Sequence, residues 1–387
     1  MEILDKVEFK IIDSIKDISK KDWESLFGTD SPEGYGYQKS LEESGIPGFD
    51  FGYVVGTSNN KTLTTLPFFI NDFSLGMFCQ GLPRSLIASA QKIFPRFLRF
   101  KLLFIGSPTT EEFKTRSLNS SDLNTLVGPA LEIIHQYCRD NKINATVFYN
   151  LSGNERILAD YFKTQGFFCM NGLPSTMIEI KAKSLDEFIQ RLGKSTRKDL
   201  RHKLRNSALQ ANLTTETRDN IESIENEVYS LYLNNFNGSD IHFEILPIKF
   251  FREISNNMPG VAKYFITRDN GKIVAFNLCL IKNDTCIDKF IGFDSGVAHK
   301  YHLYFTTLSH NIGWCIDNGI RFYQTGATDY LPKVRLGAKL IPLLILFKAF
   351  NPLLHLTLRL FSGLLKPENL DSSLKEISKF RKTRSYK

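Results

Sequence analysis

Residues 321–340 read RFYQTGATDYLPKVRLGAKL, and the fold assignment starts from this stretch. It opens as a short strand, Arg321–Gln324, then turns at Gly326 into a polar loop that runs to Gly337. Within that loop stand an acid (Asp329), a phenol (Tyr330), an amine (Lys333) and a guanidinium (Arg335). A strand that delivers a Gly-opened polar loop to the edge of a sheet is a common place for a binding or catalytic site. Just ahead of it, His302–Asn318 sets Leu303, Phe305, Leu308, Ile312 and Ile316 near helical spacing, which predicts a helix packed on a sheet. Gly319 then stands where a helix C-cap belongs.

Working outward, the second half predicts a basic helix from Leu185 to about Gln210, a strand Leu213–Thr217, and helices Ile221–Phe236 and Pro247–Asn257. Strands Ala262–Arg268 and Lys272–Ile281 flank Asp269-Asn270-Gly271, a strong hairpin signal, and strand Thr285–Asp294 follows. The first half has the same grammar. Strand Val7–Asp13 and helices Lys20–Phe27 and Tyr37–Ser44 precede a strand pair, Phe51–Thr57 and Thr62–Asp72, around Ser58-Asn59-Asn60. Strand Leu102–Ile105, a helix capped by Ser121 and reaching about Asp140, and strand Ala145–Tyr149 come next. Helix Asn154–Thr164 and strands Phe167–Met170 and Ser175–Ile180 complete that half. The repeat is one of architecture, not of residues. It predicts two similar α+β lobes joined near 180–188.

The segment Arg191–Arg205, RLGKSTRKDLRHKLR, holds seven Lys or Arg and a single acid, Asp199. On a helical wheel Leu192, Thr196, Leu200 and Leu204 fall on one side, and Arg197, Lys198, Arg201 and Arg205 share a sector opposite. Gly193 interrupts the pattern, and Ser195 is placed to cap the helical turns beyond it. Like charges at i, i+4 destabilise a helix. The crowded sector therefore suits an anionic partner, such as the phosphates of a cofactor, a phosphorylated substrate or RNA.

A net charge of +8 points the same way. The 32 Phe suit aromatic cores. Cys79, Cys138, Cys169, Cys279, Cys286 and Cys315 have no C-x-x-C pairing or zinc spacing and read as buried reduced thiols, with no metal expected. His242, His299, His302 and His310 stand apart from acids and nucleophiles at any telling spacing. No nucleophile elbow or P-loop is present. The N-terminus does not read as a signal peptide, which predicts a cytoplasmic protein. Leu340–Leu365 is free of acids, but Pro342 and Pro352 break it, so a spanning helix is not expected. It either covers an apolar face of the second lobe, the reading preferred for Leu340–Leu346, or lies in a bilayer interface. Phe94–Lys101 (FPRFLRFK) shares that basic-aromatic character, and a basic run at 379–384 comes after the apolar tail.

The pieces KSTRKDLRHKLR, GKIVAFNLCL, LYFTTLSHNIGWCIDNGIRFYQTG and YLPKVRLG together resemble the acyltransferase family with a double GNAT fold. That family includes the Fem-type peptidoglycan aminoacyltransferases and many bacterial GNAT-like proteins. The match is best over Ser184–Gly337 and looser over Trp23–Asp72, where Trp23 and Leu26 give a W-x-x-L. The resemblance implies an α+β protein of two tandem GNAT-like lobes, each a mixed, mainly antiparallel sheet flanked by helices. The divisions are 1–182, 183–340 and an extension at 341–387. It implies N-acyl transfer to a primary amine of a small molecule, sugar, peptide or cell-envelope or lipid precursor.

Lys333 is the lysine of the family's tail loop, placed to stabilise charge at the acyl carbonyl, and Arg197 and Arg201 match its arginines. With Lys198 and Arg205 they form the expected donor-binding set. Asp329 is the expected base, and Tyr330 or Tyr323 the acid for the leaving group. One departure concerns the donor. The Q/R-x-x-G-x-G/A loop that cradles the pyrophosphate of coenzyme A in simpler GNAT enzymes is absent from both halves. Acyl-CoA is the expected donor. The alternatives are aminoacyl-tRNA, the one nucleic-acid partner considered, and a non-catalytic module binding anionic lipid or RNA. A location at the inner membrane surface through 340–365 goes with the lipid reading.

Overall fold

The computed structural model describes residues 7–29, 31–74, 82–113, 123–238 and 243–377. Cys79, Ser121, His242 and the basic run 379–384 lie outside them. The strands in chain order are β1 (Glu8–Ile12), β2 (Phe49–Ser58), β3 (Lys61–Ser74), β4 (Arg99–Ile105), β5 (Ala145–Ser152), β6 (Phe168–Asn171) and β7 (Ser175–Glu179). They continue with β8 (Leu213–Arg218), β9 (Ala262–Asp269), β10 (Lys272–Lys282), β11 (Thr285–Phe293), β12 (Phe322–Gln324), β13 (Lys339–Ile341) and β14 (Leu343–Ala349).

Two compact units result, and neither is contiguous in sequence. The first comprises residues 1–29, 45–174 and 342–387, and the second 30–44 and 175–341. The sequence predicts divisions near 182 and 340, with an extension covering the second lobe; the structure differs in three places. Strand β7 belongs to the second sheet. Helix Tyr35–Ser44 belongs to the second unit, where it packs on helix Ile248–Asn257. Leu343–Ala349 forms β14 of the first sheet, hydrogen-bonded between β5 and β6. An acid-free apolar run suits a strand with neighbours on both sides as well as it suits a covering segment, and only the long-range pairing decides.

In the first unit the sheet runs β1-β2-β3-β4-β5-β14-β6. Alternate residues of β3, Leu66, Phe68 and Ile70, join Leu103, Ile105 and Phe148 in a core closed by helices Gly128–Asp140 and Arg156–Thr164 through Leu131, Ile134, Leu158 and Phe162. Gly52 makes room for the Phe68 ring across the ladder, since a Cβ there would stand 2.4 Å from it. Helix Leu82–Ile93 lies between β3 and β4, where the sequence predicts no element.

In the second unit the order is β13-β7-β12-β11-β10-β9-β8. One face packs against helix Leu303–Asp317 and the helices Leu185–Arg191 and Lys194–Gln210, through Phe188, Leu200, Leu308, Ile312 and Cys315. Helices Glu225–Gly238 and Ile248–Asn257 add Val228, Phe250 and Phe251 to the buried interior. Gly193 itself occupies the N-cap of Lys194–Gln210, not Ser195, and its backbone carbonyl accepts from the Arg197 amide at 2.9 Å. Each sheet is antiparallel except for one pair, β4 with β5 and β11 with β12.

Candidate functional site

The parallel pairing of β11 with β12 covers three positions, ending at Ile287 opposite Gln324. β11 continues to Phe293 while β12 has stopped, so the two strands part and leave a wedge at their C-terminal ends. In the first unit the corresponding wedge between β4 and β5 is closed by its own chain. Phe113 bridges to Leu151 there, its amide donating to Asn150 O at 2.7 Å, and its ring is buried. In the second unit the chain that leaves β12 is the Gly326–Gly337 loop, whose short helix Tyr330–Arg335 contacts β7.

That loop is strained and held. Gly326 has φ 65°, and two residues with side chains, Thr328 (φ 68°) and Asp329 (φ 45°), also take left-handed backbone. Such a conformation costs a residue with a Cβ about 1–2 kcal/mol and persists only where the surroundings enforce it. Here Thr176 of β7 accepts the Thr325 amide at 2.9 Å on its carbonyl and donates its hydroxyl to Gly326 O at 2.7 Å. Lys333, on the short helix Tyr330–Arg335, is only 6% exposed. Its ammonium donates to Thr325 O at 2.6 Å and to Ala327 O at 3.1 Å, with Gly326 O at 3.5 Å. A buried cation thus gathers the carbonyls of the loop that ends β12.

Behind Lys333 lies a polar network that no sequence motif announced. The Asp288 carboxylate accepts from the Tyr323 hydroxyl at 2.6 Å and from Asn277 Nδ2 at 2.9 and 3.0 Å. Asn311, from helix Leu303–Asp317, donates to the Tyr323 oxygen at 3.2 Å. Burial lifts the Asp288 carboxyl above the ordinary carboxylate range, while the bonds from Tyr323 and Asn277 and the charge of Lys333 pull against that shift. The Tyr323 phenol is held well above its usual range, first by burial and then by the Asp288 charge. Asn277 Oδ1 and Asn311 Oδ1 are buried without a hydrogen-bond partner, leaving two acceptor positions beside the pair. The signal that could have found this network is a polar residue set among apolar strand positions, Asn277 in KIVAFNLCLIK and Asp288, beside Lys289, in TCIDKFIGF.

A bulge lies between Cys279↔Asp288 and Leu278↔Phe290, where Lys289 is the extra residue. Asp288 sits with Cys279 and Tyr323, whereas Lys289 sits with Tyr37 and Phe290, its ammonium 5.4 and 5.9 Å from their rings. Lys289 forms an ion pair of 2.7 Å with Glu33, both side chains nearly inaccessible. Glu244 lies near the same cation, and burial pushes its carboxyl up to about 8 against the pull of Lys289.

The other expected site residues are spread more widely. Asp329 is exposed at the strained position ahead of the short helix, and Tyr330 is fully enclosed. Tyr323, the alternative acid, is the Asp288 partner. On helix Lys194–Gln210 the leucine stripe faces inward through buried Leu200, with Lys198, Arg201 and Arg205 exposed and Arg197 half-buried. Arg197 donates to Gln190 O at 2.8 Å, and Arg201 meets Asp186 at 2.9 Å, so that face carries more partners than its sequence suggested. An exposed pair of this kind contributes about 0–1 kcal/mol and leaves the sector open to a stronger anion. The basic helix packs on Leu303–Asp317, with Lys203 over the Phe305 ring at 3.8 Å, and Asn311 of that helix reaches Tyr323. Cys138, Cys279, Cys286 and Cys315 are buried free thiols, and burial raises each of Cys138, Cys279 and Cys286.

A family model described as peptidoglycan biosynthesis/recognition, FemAB-like, matches residues 14–337. The chain belongs to the FemAB-like family. Among solved structures it is similar to FemX, with a TM-score of 0.55, 11% identity, and coverage of 92% of this chain and 100% of that one. It is similar also to a tandem GNAT protein from the clavulanic acid biosynthesis pathway, with a TM-score of 0.52, 10% identity, and coverage of 90% and 99%. A third is L-PGS from Bacillus licheniformis, at 0.51, 12%, 89% and 94%. At these identities the likeness is one of fold, and it makes the two seven-stranded units tandem GNAT-like lobes, as the sequence predicts. No curated protein matches the chain. Among the described residues no helix is long and apolar enough to cross a membrane.

Proposed function

We propose that this FemAB-like chain transfers an acyl or aminoacyl group to a primary amine of a cell-envelope precursor, with the reaction at the wedge between β11 and β12. The observation that carries the reading is the Lys333 ammonium, buried at that wedge against the carbonyls of a strained loop. In such a transfer the amine nitrogen attacks the acyl carbon, the bond from that carbon to the donor's sulfur or oxygen breaks, and the nitrogen's proton leaves. Lys333 supplies positive charge where the carbonyl oxygen becomes an oxyanion, and loss of one preorganised group of that kind costs on the order of 10²–10³ in rate. The Tyr323–Asp288 pair adds a buried carboxylate that feels the charge of Lys333. Exposed Asp329 is the proton acceptor for the amine, and enclosed Tyr330 packs the short helix.

The donor carries phosphates in either form considered, and the sector of Arg197, Lys198, Arg201 and Arg205 is suited to them. Acyl-CoA is the reading kept from the GNAT-like lobes. Aminoacyl-tRNA is the second reading, favoured by family membership and by the missing Q/R-x-x-G-x-G/A loop. A cytoplasmic location fits both. Thermal unfolding measured with acyl-CoAs of increasing chain length and with aminoacyl-tRNA separates them: a rise in Tm with coenzyme A thioesters alone supports the first, and with aminoacyl-tRNA alone the second. No shift with either donor class overturns both.

A further inference from the structure

Two segments of the first unit, far apart in sequence, leave the same end of its sheet. β3 finishes at Ser74 opposite Arg99, where β4 starts. β4 and β5 are parallel with Leu102 level with Ala145, and β14 runs back so that Ala349 is level with Ala145. A row of bonds ties the edge together: Asn144 donates from its amide to Lys101 O at 2.8 Å and accepts from the Phe350 amide at 3.0 Å. The stretch 82–98 ends where β4 starts, and helix Pro352–Phe361 begins just after β14, two strand spacings or roughly 10 Å away along this edge.

Both present apolar side chains to solvent. Helix Pro352–Phe361 is anchored by Asn351, whose Oδ1 accepts the Leu353 and Leu354 amides, and by His355, whose Nδ1 accepts the Ala349 amide at 3.2 Å. That docking turns Leu354, His355 and Leu358 inward and leaves Leu353, Leu356 and Leu360, spaced i, i+3, i+7, exposed by 73%, 53% and 73%. Helix Leu82–Ile93 repeats the arrangement with Leu86 and Ile93, followed by exposed Phe94 and Phe97. Between 85 and 99, and between 350 and 367, the sequence has no Asp or Glu. It has Lys92, Arg96, Arg99, Arg359 and Lys366 there, all exposed. Leucine and phenylalanine flanked by exposed cations match the layered chemistry of an anionic bilayer surface, acyl chains beneath phosphate headgroups.

We infer that this end of the first unit is a membrane-binding surface, laying both apolar stripes into the interface of a bilayer that contains anionic lipid. The inference stands apart from the reaction assigned to the second unit. Its test is co-sedimentation of the full chain with vesicles of phosphatidylcholine alone and with roughly one-third phosphatidylglycerol. The expected result is binding to the anionic vesicles, released in ~1 M salt, where the screening length is about 3 Å. Leu353→Glu with Leu360→Glu, and separately Ile93→Glu with Phe94→Glu, lower the bound fraction at least tenfold with an unchanged Tm. Three results overturn it: no sedimentation with anionic vesicles, equal binding to neutral ones, or undiminished binding by both variants. Self-association of the wild-type chain that the same substitutions abolish also overturns it, because a second copy then covers the patch.

Discussion

Replacing Lys333 by Met removes the ammonium and keeps most of the apolar stem, so the perturbation falls on the charge and its bonds. The ammonium makes two short contacts, to Thr325 O and Ala327 O. Hydrogen bonds to a charged group are worth about 1.5–3 kcal/mol each, but the variant is also spared the desolvation of a buried ammonium. The net loss is ~1–3 kcal/mol, or a fall in Tm of about 2–4 °C per kcal/mol for a unit of 150–250 residues. Activity responds more strongly. Loss of the group that meets the oxyanion lowers kcat by about 10²–10³ with little change in KM. Thermal denaturation and steady-state transfer kinetics, run on the same preparation, give both numbers. A folded Lys333→Met variant with undiminished kcat would refute the site, because the cation would then serve only to close the loop.

The β11 bulge yields two further outcomes. Lys289→Met removes the cation paired with Glu33 in an enclosed site and lowers stability by about 3–5 kcal/mol, whereas adding Glu33→Gln recovers much of that; denaturant melts of the single and double variants measure the recovery, and no recovery rejects the pair as the cause. Glu244 has a folded pKa of about 8, above its unfolded value. Its protonated form therefore stabilises the fold fully below the unfolded value, and that contribution is lost as pH rises toward 8. Glu244→Gln should flatten the decline of Tm between pH 5 and 8, and an unaltered slope would assign the decline to another group.

Local signals were legible where backbone chemistry is local. Asp269-Asn270-Gly271 turns between β9 and β10 with Asn270 at φ 48° and Gly271 at φ 89°, as a two-residue hairpin loop requires. Gly319, at φ 71°, ends helix Leu303–Asp317 where a C-cap glycine belongs. The loop around Lys333 was found because its residue types cluster within a dozen positions. Asp288, Asn277 and Asn311 were not found, since they stand on three separate elements, β11, β10 and helix Leu303–Asp317, and their meeting depends on sheet register. The unit boundaries were missed for a related reason. Nothing within Tyr35–Ser44 or Leu343–Ala349 states which sheet it will join, and that choice rests on partners more than a hundred residues away.

That interleaving has a consequence for biogenesis. The second unit has all of its residues once position 341 has left the ribosome. The first lacks the strand between β5 and β6 until 343–349 emerge, although most of its sheet was made long before. The lobe that begins the chain is thus the later one to close, and until then β5 and β6 present unpaired edges open to mispairing. Severing the chain at 174 would leave neither piece whole, so expressing the halves separately yields two incomplete lobes and not two domains.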